Sequence, residues 1–256
     1  MTQQQMIVTV IGTLITFVMT AAGSALVFLI KSRSPKTNTI VLGFSSGVMI
    51  AASVWSLLIP SLEQAQIYFK DFNYIPTCVG FLLGGMFMVL ADKLTHQSKI
   101  ETALQKPSKL FVAVLVHNIP EGLAVGFAFG FAMSCGNDAA YYSALALSLG
   151  IAIQNLPEGL AVALPFKSAT NSRLKGFLYG VISGTVEPLF AVVGIVMASY
   201  LTAIQPWLLA FSAGAMIFVV AEDLIPDSKL ESNPKLGAWG VMLGFALMMI
   251  LDVALG

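Results

Sequence analysis

Long apolar runs alternate with short polar segments along the whole chain. Each run is long enough to cross about 30 Å of hydrocarbon as a helix, which takes roughly 20 residues. The connecting segments, such as KSRSPK at 31–36, leave no room for a soluble domain. The pattern therefore predicts an all-α membrane protein in which residues 1–256 form a single transmembrane domain. Its eight predicted spans are residues 6–30, 40–60, 74–92, 110–133, 141–165, 174–200, 206–226 and 237–255.

The composition agrees with a lipid environment. Hydrophobic residues make up 57% of the chain and charged residues only 10%, whereas soluble domains carry about 25% charged residues. The 13 basic and 13 acidic residues cancel, so nothing favours nucleic acid as a partner. Cys78 and Cys135 lack metal-ligand spacing, which argues against a zinc finger. The first apolar run exceeds the roughly 7–15 residues of a signal peptide, and we expect it to be retained as a helix.

The basic residues predict the orientation, because Lys and Arg are retained on the cytoplasmic side. The loops after spans one, three, five and seven hold 12 of the 13 basic residues, and the opposite side holds only Lys70. We therefore expect both termini to be extracellular. In the absence of an organellar targeting signal, the expected location is the plasma (cytoplasmic) membrane. The 12 residues are Lys31, Arg33, Lys36, Lys93, Lys99, Lys106, Lys109, Lys167, Arg173, Lys175, Lys229 and Lys235.

Two pairs of spans repeat a sequence in opposite orientations. HNIPEGLAV at 117–125 in span four returns as QNLPEGLAV at 154–162 in span five. FSSGVMI at 44–50 in span two returns as FSAGAMI at 211–217 in span seven. Since an even span is matched to an odd one, the pattern indicates inverted repeats, which are common in transporters. We expect spans 1–3 to be related to spans 6–8, and span four to span five. For the second pair, coincidental resemblance between apolar helices remains an alternative.

Three carboxylates, Glu121, Glu158 and Glu187, fall near the centres of their predicted spans. An ionised carboxylate at that depth costs at least about 2.5–3.5 kcal/mol. The predicted spans contain no Lys or Arg near their centres to pair with these acids. Compensation must come from protonation, from water or from a bound cation.

The spacing of other polar residues favours the cation. Positions three and four apart share a helix face, so one face of span four and one of span five each present several donors. Mixed nitrogen and oxygen donors suit zinc, iron, manganese or cobalt better than calcium, and the lack of thiolate argues against copper(I). Pro120 and Pro157 interrupt backbone hydrogen bonding at the same turns, which predicts local breaks in both helices. The candidate metal ligands are His117, Asn118, Glu121, Gln154, Asn155, Glu158 and Glu187.

These motifs resemble the ZIP (Zrt-/Irt-like) family of divalent metal transporters. The resemblance extends to GTVEPLF at 184–190 and AGAMIFVVAEDLIP at 213–226. Gln154, in place of a second histidine, makes the motif similar to that of the GufA-like branch. It implies a binuclear centre bridged by Glu121 and Glu158. The remaining implied ligands are His117 and Gln154 at one position and Asn118, Asn155 and Glu187 at the other.

The resemblance also implies flux into the cytoplasm, external termini, a homodimer, and sliding of spans one, four, five and six against the rest. Zinc is the first expectation for the transported metal, with iron, manganese, cobalt or cadmium as alternatives, and no separate cofactor is implied. The expected partners are divalent metal ions and membrane lipid. The third loop contains a single histidine, His96, which does not favour metal sensing by that loop.

Two other functions use the same residues. A membrane-embedded metalloenzyme could activate water with this centre, but the chain has no HExxH helix and no recognisable Ser or Cys nucleophile motif. A proton-linked transporter of organic solutes would not explain the histidine and amide donors. The sequence therefore favours transport of divalent metal by a protein that is not an enzyme.

Overall fold

In the computed structural model, all secondary structure among the described residues is helical. The structure describes residues 1–30, 35–95, 102–198, 202–228 and 234–255. Four of the basic residues that predict the orientation lie outside the described residues, namely Lys31, Arg33, Lys99 and Lys229, and so does His96. The helices are α1 Gln3–Ala25, α2 Pro35–Ala52, α3 Ile59–Phe69, α4 Tyr74–Thr95, α5 Thr102–Cys135, α6 Asp138–Thr170, α7 Arg173–Gly184, α8 Val186–Ala198, α9 Gln205–Val219, α10 Ile225–Ser228 and α11 Pro234–Leu255.

Within the described residues, seven helical stretches are long and apolar enough to cross a membrane. They correspond to all the predicted spans except the third. The predicted span at 74–92 corresponds to a shorter apolar stretch, Tyr74–Leu90, within α4. The prediction of an all-helical chain with apolar helices long enough to span a membrane is therefore confirmed. The seven stretches are Gln3–Phe28, Thr39–Phe72, Leu110–Cys135, Asp138–Thr170, Arg173–Ala198, Gln205–Leu224 and Pro234–Ala254.

The continuity of the helices could not be fully predicted from the sequence. A π-helical turn, Ser53–Leu58, joins α2 to α3, so that the second span continues to Phe72. Pro60 lies in the first turn of α3, where its missing N–H is tolerated. Helices α5 and α6 continue through Pro120 and Pro157, so the released backbone carbonyls do not end either helix. The sixth span is interrupted instead, at Thr185 between α7 and α8.

The surface of α1 reverses the usual arrangement of a soluble protein. Its buried residues are small or polar, among them Thr9, Thr16 and Thr20. Large apolar side chains point outward, and Val10 and Ile11 are each 50% exposed. Because lipid accepts apolar side chains and polar groups need partners inside the protein, this arrangement is typical of a helix surrounded by lipid on one side.

Four pairs of helices have the most extensive packing, α1 with α6, α5 with α8, α2 with α11, and α4 with α9, while α5 and α6 contact each other at the centre. Glycines bring the backbones together. A Cβ at Gly47 of α2 would collide with the carbonyl of Val241 in α11, and a Cβ at Gly214 of α9 would collide with the carbonyl of Phe81 in α4. Such close approaches are typical of packing between membrane helices.

Candidate metal centre

The seven predicted ligands are carried by the two central helices and by the start of a third. Each of them is at most 1% exposed. The first turn of α8 carries Glu187, directly after the interruption at Thr185. A helix N-terminus favours a negative side chain, so this break suits a buried carboxylate. Helix α5 carries His117, Asn118 and Glu121, and helix α6 carries Gln154, Asn155 and Glu158.

Three of these side chains approach closely enough to share one metal ion. His117, Glu121 and Glu158 each offer a ligand atom, and these atoms all lie within 4.8 Å of one another. The imidazole Nε2 of His117 lies 3.4 Å from Oε2 of Glu158. Ligands about 2 Å from a zinc ion lie roughly 3–4 Å apart, so a small adjustment of this trio would bring it to coordinating distance.

The three amide side chains donate hydrogen bonds to protein oxygens through their nitrogen atoms. Nδ2 of Asn118 donates to the carbonyl of Ser183 at 3.1 Å. Nε2 of Gln154 donates to Oε1 of Glu121 at 2.8 Å. Nδ2 of Asn155 donates to Oε2 of Glu187 at 2.7 Å. Each amide is thereby oriented so that its oxygen remains available as an acceptor.

Six buried oxygen atoms at this centre have no hydrogen-bond donor within the described part of the chain. Buried polar atoms are almost always hydrogen-bonded, so a group of exceptions needs an explanation. All six are acceptors of the kind that bind divalent cations, and the donor set therefore fits a metal. The six are Oδ1 of Asn118, Oε2 of Glu121, Oε1 of Gln154, Oδ1 of Asn155, and Oε1 and Oε2 of Glu158.

The environment of Glu187 differs from that of the other two acids. Its Oε2 accepts a hydrogen bond from Asn155, and its Oε1 accepts one from Oγ1 of Thr20 at 3.0 Å. It does not join the group formed by His117, Glu121 and Glu158. The structure thus brings His117, Glu121 and Glu158 together and attaches Gln154 to this group through Glu121. Asn155 and Glu187 form a second bonded pair, and Asn118 lies beside His117 on α5.

Helix α1 also contributes to the centre, which was not predicted from the sequence. Thr20 bonds the Glu187 carboxylate directly, and the carbonyl of Thr16 accepts a hydrogen bond from Asn155 at 3.3 Å. A signal was present, because Thr9, Thr16 and Thr20 recur at helical spacing in an otherwise apolar run. This spacing marks a polar stripe that faces the interior of the bundle.

Comparison with known proteins points to one family. A family profile described as "ZIP Zinc transporter" matches residues 101–252. The chain is 36% identical to "Zinc transporter ZIP11" of Homo sapiens, with 96% of each protein covered. It is 35% identical to "Zinc transporter ZIPB" of Bordetella bronchiseptica, covering 96% of this chain and 81% of that protein. It is 32% identical to "Zinc transporter GufA" of Myxococcus xanthus, covering 93% and 94% respectively.

Proposed function

Since the chain belongs to the ZIP family of zinc transporters, we propose that it carries zinc across a membrane through the buried cluster on α5, α6 and α8. The observation that carries this proposal is the group of buried oxygens without donors around His117, Glu121 and Glu158. A divalent cation satisfies such acceptors and offsets their charge at the same time. Zinc is the substrate here and is not a resident cofactor.

Two adjacent metal positions account for the donor set. Glu121 and Glu158 face both positions and bridge them. One position is completed by His117 and Gln154, and the other is completed by Asn118, Asn155 and Glu187. Three carboxylates offset three of the four positive charges of two divalent ions, which disfavours strong binding of both ions together.

The ligand chemistry also bears on which metals are carried. One imidazole with several carboxylate and amide oxygens suits zinc and its neighbours among the divalent transition metals. Gln154 offers an oxygen where a second histidine would offer nitrogen, so the site is less selective for nitrogen-preferring metals. Iron, manganese, cobalt and cadmium are therefore secondary substrates in this proposal.

We propose that the chain has eight spans arranged as an inverted repeat. In this repeat, spans 1–3 correspond to spans 6–8, and span four corresponds to span five. The contact between α1 and α6 then corresponds to the contact between α8 and α5. The contact between α2 and α11 likewise corresponds to the contact between α9 and α4, and both members of each pair are among the closest in the structure. The π-helical turns Ser53–Leu58 and Val220–Leu224 also occupy matched positions. These correspondences support α4 as the third span.

An external cavity supplies the route to the centre. It has a volume of about 540 Å³ and is lined by Glu63 and Asp252 among others. It lies at the end of the bundle that holds the C-terminal part of α11 and the start of α6, and Gln5 near the N-terminus contacts Asp138 at this same end. With both termini extracellular, its acidic lining attracts cations from outside. Its lining includes Gly150, one turn before Gln154 in α6.

Transport then requires that the centre open toward the cytoplasm. The metal-bearing helices α1, α5, α6, α7 and α8 form one packed group, and α2, α3, α4, α9 and α11 pack around it. We propose that the first group slides against the second and so exposes the centre to the cytoplasm. Relative motion of two rigid bundles is the usual basis of alternating access in transporters with inverted repeats. We also propose that the protein forms a homodimer in the plasma membrane.

Uptake of radioactive zinc into proteoliposomes tests this function. We expect saturable uptake above that of protein-free vesicles, competed by cadmium and cobalt more strongly than by calcium, because mixed nitrogen and oxygen donors prefer transition metals. Uptake equal to that of protein-free vesicles would contradict the proposal. Zinc-dependent turnover of a peptide or lipid would favour the metalloenzyme, and the family of the chain already argues against that alternative.

A further inference from the structure

We propose that Thr20 is a positioning residue for Glu187, and that its hydroxyl sets the affinity of the metal position that uses this carboxylate. The proposal deepens the function proposed above and rests on it. Thr20 is fully buried on α1 and carries no charge. It acts through Glu187 and is not itself a ligand.

The hydrogen bonds around Glu187 hold the carboxylate from two sides. Oγ1 of Thr20 donates to Oε1 at 3.0 Å, and Nδ2 of Asn155 donates to Oε2 at 2.7 Å. Each carboxylate oxygen keeps a second lone pair, which remains available for a metal ion. Hydrogen bonds of this kind orient a ligand, and removing one typically weakens metal binding 10–100-fold.

The backbone around Thr20 keeps its side chain in place. Gly159 of α6 packs against the Thr20 carbonyl so closely that a Cβ there would collide with it. A Cβ at Gly184, just before the interruption in span six, would lie 2.9 Å from Cβ of Thr20. The hydroxyl therefore has few orientations, and its other acceptor is the carbonyl of Thr16 at 3.1 Å.

The repeat gives an independent reason to single out Thr20. Asn155 donates to the carbonyl of Thr16, and its repeat partner Asn118 donates to the carbonyl of Ser183. This pair of contacts matches position 16 of α1 to position 183 of span six, and hence position 20 to position 187.

The glycines of the two motifs give the same match. Gly159 packs on the carbonyl of Thr20, and its repeat partner Gly122 packs on the carbonyl of Glu187. Thr20 thus stands where an exact repeat would place a fourth carboxylate. The chain supplies a hydroxyl donor at that point, and the donor bonds the third carboxylate.

Removing the hydroxyl separates this role from a purely structural one. In Thr20→Val the side chain keeps its shape and loses its donor, whereas Thr20→Ser keeps the donor. Zinc titration of the purified protein in detergent should resolve a tighter and a weaker step. We expect Thr20→Val to weaken one of the two steps about 10-fold with the other step unchanged, and Thr20→Ser to restore it.

Other outcomes of the titration have distinct meanings. Unchanged affinities in Thr20→Val, with both steps present in the parent, would overturn the role of Thr20 and leave the proposed function standing. Tighter binding in Thr20→Val would overturn it too, since the hydroxyl would then compete with the metal. A parent protein that binds no zinc would contradict the proposed function itself.

A different observation carries a second inference, which concerns the boundary between the two groups of helices. Oγ of Ser45 in α2 donates to the carbonyl of Pro157 in α6 at 3.1 Å. Ser212 of α9 occupies the matched position of the repeat and is 1% exposed. Its Oγ has no hydrogen-bond partner among the described residues.

We infer that Ser45 and Ser212 form their hydrogen bonds alternately, each in one of the two oppositely facing conformations. An inverted repeat can reach its oppositely facing conformation by exchanging the conformations of its two halves. The bond between Ser45 and Pro157 then breaks, and Ser212 donates to the carbonyl of Pro120, the repeat partner of Pro157. The Ser212 hydroxyl, which has no partner among the described residues in this conformation, makes its hydrogen bond only in the opposite conformation.

Matched alanine substitutions test the alternation, because they should act in opposite directions. The readout is the rate at which a maleimide modifies Ala146→Cys, which lines the external cavity, in a Cys78→Ser, Cys135→Ser background in detergent. A buried hydrogen bond contributes about 1 kcal/mol, or roughly fivefold in a population ratio. We expect Ser45→Ala to slow the modification by up to about this factor and Ser212→Ala to speed it. Changes in the same direction, or no change in either variant, would overturn the inference.

Discussion

Replacing Glu158 by Gln is expected to abolish zinc transport while it raises the thermal stability of the zinc-free protein. Both oxygens of this carboxylate are buried and accept no hydrogen bond within the described residues. Among those residues, only the His117 imidazole, 3.4 Å from Oε2, approaches it as a possible cation, so its charge is incompletely compensated when no metal is bound. The amide keeps the shape and removes a charge that the fold does not need. Because Glu158 faces both metal positions, we expect the initial rate of transport to fall by at least about 100-fold.

Proteoliposome uptake and thermal unfolding measure these two effects. Glu158→Ala and Glu121→Ala should lose transport to the same degree. Asp71, an exposed acid after α3, provides the control, and Asp71→Asn should leave transport and stability unchanged. Zinc should raise the unfolding temperature of the parent and not that of Glu158→Gln. Transport by the Glu121 and Glu158 variants at the rate of the parent would refute the proposed site.

Replacing Gly84 by Ala is expected to destabilise the protein by about 1–3 kcal/mol. A Cβ at this position of α4 would collide with the carbonyl of Phe211 in α9. Since a backbone carbonyl cannot move aside as a flexible side chain can, the two helices must separate. We expect the unfolding temperature to fall by roughly 5 °C.

The neighbouring glycine offers a matched control on the same helix. A Cβ at Gly85 would lie 3.9 Å from the nearest atom, Cδ2 of Phe218, which is an ordinary contact. Gly85→Ala should therefore leave stability unchanged or raise it by up to about 1 kcal/mol through helix propensity. Equal destabilisation by both substitutions would show that the α4–α9 packing is not the cause.

The spans were predictable from the sequence because each of them must be apolar to lie in lipid. Their continuity was less predictable. Proline removes a hydrogen bond wherever it occurs, yet α5 and α6 continue through Pro120 and Pro157, while span six is interrupted at Thr185. The π-helical turn at Ser53–Leu58 leaves no mark on hydrophobic periodicity. Tertiary packing decides these features, and a single sequence does not report it.

The central part of the site was predictable for a local reason. His117 and Glu121 share a face of one helix, and the repeated motif predicted the second set of donors on the facing helix. Thr20 was not identified, because a hydroxyl in an apolar helix ordinarily bonds the carbonyl one turn earlier. Its bond to Glu187 joins residues 167 positions apart, so it depends on the packing of α1 beside α8.

Anomalous scattering from zinc-soaked crystals, recorded at the zinc absorption edge, would show whether zinc binds between α5 and α6. We expect a peak about 2.0–2.2 Å from the imidazole of His117 and from carboxylate oxygens of Glu121 and Glu158, with a second peak on the side of Glu187. Peaks confined to surface acids such as Glu63, with none between α5 and α6, would contradict it.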